Sequence, residues 1–103
     1  MIITTTALVE GSPVRQYIGV ATGEVIMAAN VGRDILASIT DIVGGRSKAY
    51  ETKLSEARDA AFKEMSQQAS QMGANAVIGV AINYEVIRKG MLMVAVSGTA
   101  VII

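Results

Sequence analysis

The sequence contains no cysteine, no histidine and no tryptophan, and it has one proline and one phenylalanine. Each absence removes chemistry. Without cysteine there is no thiol nucleophile and no disulfide. Without histidine there is no imidazole base at neutral pH, and without either there is no zinc site of the usual kind. Aromatic residues make up 4% of the chain, so the core must come from Val, Ile, Leu, Met and Ala. Charge of one sign is missing too. Nine basic and nine acidic residues cancel, which argues against a general polyanion or nucleic-acid binder. The opening residues Met1–Gly11 lack a basic segment followed by an apolar run of ~7–15 residues, so no signal peptide is read. The longest apolar stretch, Met91 to Ile103, is interrupted by Ser97, Gly98 and Thr99. It falls short of the ~20 residues of a spanning helix. A soluble cytoplasmic protein with no membrane partner is expected.

What remains is an apolar chain of 103 residues, 51% hydrophobic, the size of one domain spanning 1–103. Its periodicity changes twice. Ile2–Thr6 is short and β-branched, and Glu10-Gly11-Ser12-Pro13 is a turn. Val14 to Ala29 reads as a strand. Its even positions hold Ile18, Val20, Thr22, Glu24 and Ile26; its odd positions hold Tyr17, Gly19, Ala21, Gly23 and Val25. Gly19 and Gly23 mark bulges or close approach by another element. From Asn30, a plausible N-cap, the apolar positions Val31, Ile35, Ile39 and Ile42 follow helical spacing up to Gly44-Gly45. A longer helix is expected from Lys48 to Met72. Its stripe is Tyr50, Leu54, Ala57, Ala61, Met65, Gln68 or Ala69, and Met72, with Ser47 as N-cap and Gly73 just past the end. Two alternating strands, Ala76–Ile87 and Met91–Ile103, close the chain around Arg88-Lys89-Gly90.

The order β-β-α-α-β-β predicts a two-layer α+β domain with the long helix packed on a mainly antiparallel sheet. Small residues let backbones approach, so the helix alanines should meet the Gly and Ala face of the strands. The opposite sheet face is too apolar for solvent, and the last strand carries no charge after Lys89. Self-association that covers this face or pairs an edge accounts for both features. A monomer with the C-terminal strand central in its sheet is the alternative.

The segment with the most chemical character is Asp41-Ile42-Val43-Gly44-Gly45-Arg46-Ser47, followed by Tyr50-Glu51. Two glycines, an arginine and a capping serine precede a helix N-terminus. Free N–H groups and the helix dipole favour an anion there, and Arg46 adds a bidentate clamp for a carboxylate or phosphate. The spacing is not that of a Walker loop. A plain inter-helix turn, with Arg46 paired to Asp41, Glu51 or a second copy, explains the same residues. Asn30, Arg33 and Asp34 read as a cap and a surface ion pair. Thr22, Glu24 and Glu85 could offer oxygen ligands to a hard cation, and Met91 and Met93 could offer thioethers to Cu(I). Buried methionines are more simply flexible core filler. No spacing singles out a catalytic pair, so no enzyme is expected. No cofactor can be named.

These blocks carry a resemblance. Ile3-Thr4-Thr5-Thr6, Gly19–Glu24, Ala29-Asn30-Val31 with Arg33-Asp34, and the Asp41–Ser47 block with Tyr50-Glu51 resemble the YbjQ-like family of small bacterial and archaeal proteins. So do Gly73–Val80, Met91–Val94 and Ser97–Ala100, which extends the resemblance over the whole chain. The resemblance implies a dodecin-like subunit in a ring-shaped homopentamer and a heavy-metal-binding label. In such a ring the ligand-binding candidates are Asp41, Gly44, Gly45, Arg46, Ser47, Tyr50 and Glu51, gathered at inter-subunit clefts around a small unknown ligand.

Overall fold

The computed structural model describes residues 1–27, 48–88 and 91–103. The helix expected from Asn30 to Ile42 lies outside them. The described elements are β1 (Ile2–Ile3), β2 (Gln16–Met27), α1 (Lys48–Gln71), β3 (Ala76–Arg88) and β4 (Met91–Ile102). They form an α+β fold, with α1 packed on one face of a four-stranded sheet of order β1-β3-β4-β2.

The sheet is mixed. β4 runs antiparallel to both β2 and β3, while β1 joins β3 in parallel. β1 is shorter than the Ile2–Thr6 expected from sequence. Beyond Ile3 the regular ladder gives way to irregular bonds: the Thr4 N–H donates to the Val77 carbonyl (3.0 Å), the Thr4 and Thr6 carbonyls accept from Val80 and Gly79, and the Thr4 and Thr6 hydroxyls turn to local groups. The Thr6 N–H donates to Thr4 Oγ1 (3.2 Å) and Thr6 Oγ1 donates to the Leu8 carbonyl (2.6 Å). The charge-free β4 occupies an interior position, paired on both sides. Its edges therefore present no hazard, and the edge positions fall to β2 and to most of β3.

The helix stripe follows the sequence. Ala57, Ala61, Met65 and Ala69 are buried, with Leu54 and Met72 packed beside them. They meet Ala21 and Met27 of β2 and Val94, Val96 and Ala100 of β4. Gly23 is the point of closest approach, because a Cβ there would collide with the Ala61 carbonyl. The end of α1 is a Schellman motif. Gly73 takes φ +92°, its N–H donates to the Ser70 carbonyl (3.0 Å), and the Ala74 N–H donates to the Ala69 carbonyl (3.0 Å).

The ladders carry three irregularities, the last between Val86 and Arg88 at the end of β3, and the first two are bulges within the strands. One lies between Tyr17 and Gly19 of β2, the other between Ile78 and Ala81 of β3. At the second, Gly79 adopts φ +61° and its N–H donates to the Thr6 carbonyl (2.8 Å). Simple alternation puts Ile78 and Val80 on one face. The bulge instead sends Ile78 to the far face, where it is buried with Ala76 and Val101 beneath Val9 and Val14. Val80 joins the helix-side core, and Ile82, Tyr84 and Val86 follow on that side.

Candidate functional site

The anion-binding candidates are divided by the described boundary. Asp41, Gly44, Gly45, Arg46 and Ser47 lie outside the described residues. Tyr50 and Glu51 fall in the first turn of α1, which begins at Lys48, directly after Ser47. Glu51 is exposed there, where its charge favours the positive end of the helix. Tyr50 and Glu51 are the two members of the candidate set among the described residues.

A surface that the sequence did not single out lies on β3. The helix covers β2 and β4 and barely reaches β3. This follows from size, since a helix of ~10 Å diameter spans about two strands spaced ~4.8 Å apart. Ile82, Tyr84 and Val86 consequently stay exposed, at 36%, 44% and 76%. Arg58, on the flank of α1, donates from its guanidinium to the Tyr84 hydroxyl (3.5 Å). That hydrogen bond, Tyr84's potential charge and nearby Asp59 raise the Arg58 pKa further above its ordinary value, against a small opposing effect of desolvation. A cation thus reaches toward the apolar strip through a long, solvent-exposed hydrogen bond. Helical spacing alone could not flag Arg58, because its importance depends on which strand the helix leaves uncovered.

The other side of the helix is different. The Thr22 N–H, turned away from β4 at the outer edge of β2, donates to Gln68 Oε1 (2.6 Å). A shallow cleft of about 290 Å³ beside it is lined by Thr22, Glu64, Gln67, Gln68 and Gln71. On the far face Glu24 lies opposite Ala95 and Glu85 opposite Met93. The two carboxylates are therefore separated by β4 and by one step along it, and they do not share a cation.

Among the described residues no group of three acidic, histidine or cysteine side chains gathers to hold a metal. Met27 and Met65 are core filler, buried to 5% and 0% exposure. Met91 and Met93, the thioether candidates, lie two positions apart on one face of β4 and are half-buried. No helix among the described residues is long and apolar enough to cross a membrane.

Fold and surface together define a small α+β protein with one long helix on a mixed four-stranded sheet. Comparison with known proteins gives the class a family. The chain belongs to the YbjQ-like family, described as "Putative heavy-metal-binding", whose sequence model matches residues 1–103. A UPF0145 protein of Bacillus cereus is 57% identical over 101 residues, covering 98% of each chain. Another, from Bacillus thuringiensis subsp. konkukian, is 56% identical over the same length and share. None of these names assigns an enzymatic activity. A crystal structure from Pediococcus pentosaceus, of a protein of unknown function in the DUF74 family, shares the fold. Its TM-score is 0.62 at 20% identity, over 100% of this chain and 97% of that one.

Proposed function

We propose that this chain is a non-enzymatic subunit of a homo-oligomeric ring, five copies in the form the family resemblance implies, that holds a small anionic ligand at inter-subunit clefts. One observation carries the reading: Val20 and Ile26 of β2, and Ile82, Tyr84, Val86 and Ile87 of β3 beyond its pairing with β1, are exposed along two strands whose outer edges meet no further strand among the described residues. Strand edges that carry exposed apolar side chains are templates for pairing with another chain, and soluble proteins seldom leave them unpartnered. The ligand part rests on the Asp41–Ser47 block, which runs directly into the N-terminus of the 24-residue α1. Arg46 would grip the anion, the helix amides would hold it, and Asp41 or Glu51 would orient the arginine. Tyr50 sits in the same first turn. Repetition around a ring axis turns weak sites into useful avidity.

Native mass spectrometry of the protein as purified, without chelator, tests both halves. The expected result is a ring carrying a stoichiometric organic or inorganic anion, lost in the Arg46→Ala ring. A retained metal ion in place of an anion would favour the family's heavy-metal description. A ring that disassembles on Arg46→Ala would make the block an assembly element and the protein a scaffold. A monomer would refute the reading.

A further inference from the structure

We infer that the ring closes through one pair of strand edges: the free stretch of β3, Ala81–Arg88, against the outer edge of β2 in the next copy, in parallel. The inference deepens the proposed assembly and rests on it. The partner is a second copy of this chain.

The backbone supports it in three ways. The first is vacancy. β1 pairs only with Ala76 and Val77, and the last described bonds from that side are Val80 N–H to Thr4 and Gly79 N–H to Thr6. Beyond them, among the described residues, the outer edge of β3 has no strand. Val80 donates outward, so by alternation Ile82, Tyr84 and Val86 also turn their N–H and C=O groups to that edge. An open edge with exposed apolar side chains is a template for strand addition.

The second is direction. β2 and β3 are each antiparallel to β4, so they are parallel to one another. Rotation about an axis along the strands keeps strand direction and keeps every helix on the same side. It therefore brings β2 of one copy beside β3 of the next in parallel. A parallel ladder requires that the residues facing the seam point to opposite sheet faces on the two strands. That condition is met. Thr22 faces the outer edge of β2, so Val20, Glu24 and Ile26 do as well, and their side chains lie on the far face. The seam-facing residues of β3 lie on the helix face. Since β1 blocks the start of β3, the incoming strand is staggered toward its C-terminal half, and stagger is what closing a sheet into a barrel needs.

The third is charge. Glu24 and Glu64 flank the β2 edge, while Arg58 and Arg88 flank the free stretch of β3, with Glu85 in the stretch itself and Asp59 beside Arg58. Unlike edges meeting bring acid to base. Two β3 edges meeting about a two-fold axis would bring Arg58 toward its own copy. In the seam, a neighbouring carbonyl takes the place of Gln68 Oε1 as acceptor for the Thr22 N–H.

The chain has no cysteine, so cross-linking can be read cleanly. Glu24→Cys and Glu85→Cys are exposed far-face positions on the two edges. The double variant, treated with a reagent reaching only ~5 Å, about one strand spacing and too short to span β4 within one copy, should give a covalent ladder up to the full ring, and each single variant none. Covalent dimers from Glu85→Cys alone would overturn the inference in favour of a two-fold contact. An intact ring by native mass without cross-links in the double variant would overturn the seam and leave the ring standing. A monomer would overturn both. Tyr84→Pro gives a second readout. It removes an N–H that the β3–β4 ladder does not use, and should convert rings to folded monomers by mass and circular dichroism. Rings that persist in the folded Tyr84→Pro protein would refute the seam.

Discussion

Gly23→Ala should be the most damaging single-methyl addition in the described part of the chain. The added Cβ would meet backbone, not side chain: the Ala61 carbonyl oxygen, the Ala61 carbonyl carbon at 2.9 Å and the Met65 nitrogen at 3.0 Å. Helix backbone cannot turn aside as a side chain can, so α1 must lift off β2. Lifting opens gaps around Ala21, Ala61 and Met65, all at 0% exposure. Overpacking in a close-packed core costs about 1–3 kcal/mol, and a backbone collision belongs at the upper end, about 3 kcal/mol. For a domain of this size that corresponds to a melting temperature roughly 12–24 °C lower. Two other glycines calibrate the reasoning. At Gly98 the Cβ would meet the Val77 Cγ1 (2.6 Å) and Val80 Cγ2 (2.9 Å) methyls and the Ile78 carbonyl (3.1 Å), so Gly98→Ala should cost less, about 1–2 kcal/mol. At Gly19 the close neighbour among the described residues is the flexible end of Met72 (3.1 Å), and Gly19→Ala should cost under about 1 kcal/mol. Urea unfolding at one fixed protomer concentration measures all three. An unchanged midpoint for Gly23→Ala, or Gly19→Ala ranking above it, would refute the close-packing account.

Met65→Ala should lose about 2–5 kcal/mol, because Met65 is fully buried between the helix and the sheet; chemical denaturation gives the value, and a loss below about 1 kcal/mol would place Met65 outside the core. Asn75→Ala should loosen the C-terminus. Its side chain donates to the Ile103 carbonyl (3.1 Å) and accepts from the Ile103 N–H (2.8 Å), so the loss of two bonds should cost about 1–2 kcal/mol and speed amide exchange at Ile103. With no histidine in the sequence, unfolding midpoints should stay flat between about pH 6 and 8. A sigmoidal change across that window would indicate a titrating group that the side chains do not supply.

Legibility varied with the range of the interaction. The α1 stripe could be read because Ala57, Ala61, Met65 and Ala69 report one local period, and its end because Gly73 stops it by backbone conformation. The pairing of alanines with the bare face of β2 was also legible, since Gly19, Ala21 and Gly23 fall on one face. The Gly79 bulge was not. Alternation from Ile78 to Val86 is unbroken in sequence, and only the meeting with Thr4 and Thr6, far away in the chain, turns the strand over. The position of β4 was equally hidden. A charge-free strand suits a sheet centre or an interface, and only the strand order decides. For the candidate site, the sequence fixes the composition of the Asp41–Ser47 block and its place before α1, while Arg58 and Tyr84 emerge from tertiary structure alone.

The same residues that bring the helix close also leave β3 bare. Gly23 and the helix alanines draw α1 down over β2 and β4, and a helix set that deeply cannot also roof a third strand. Bulkier residues at those positions would raise α1 and change the reach of its flanks. The exposed strip on β3 is thus a consequence of tight packing one strand away. Gly23→Ala consequently has a second expected outcome: a lifted helix shifts Arg58 from Tyr84 and disturbs the β3 edge. At concentrations where the chain remains folded, Gly23→Ala should weaken assembly more than Gly98→Ala, measured by native mass across a dilution series. Equal dissociation at matched stability would separate the helix seat from the interface and break the link drawn between them.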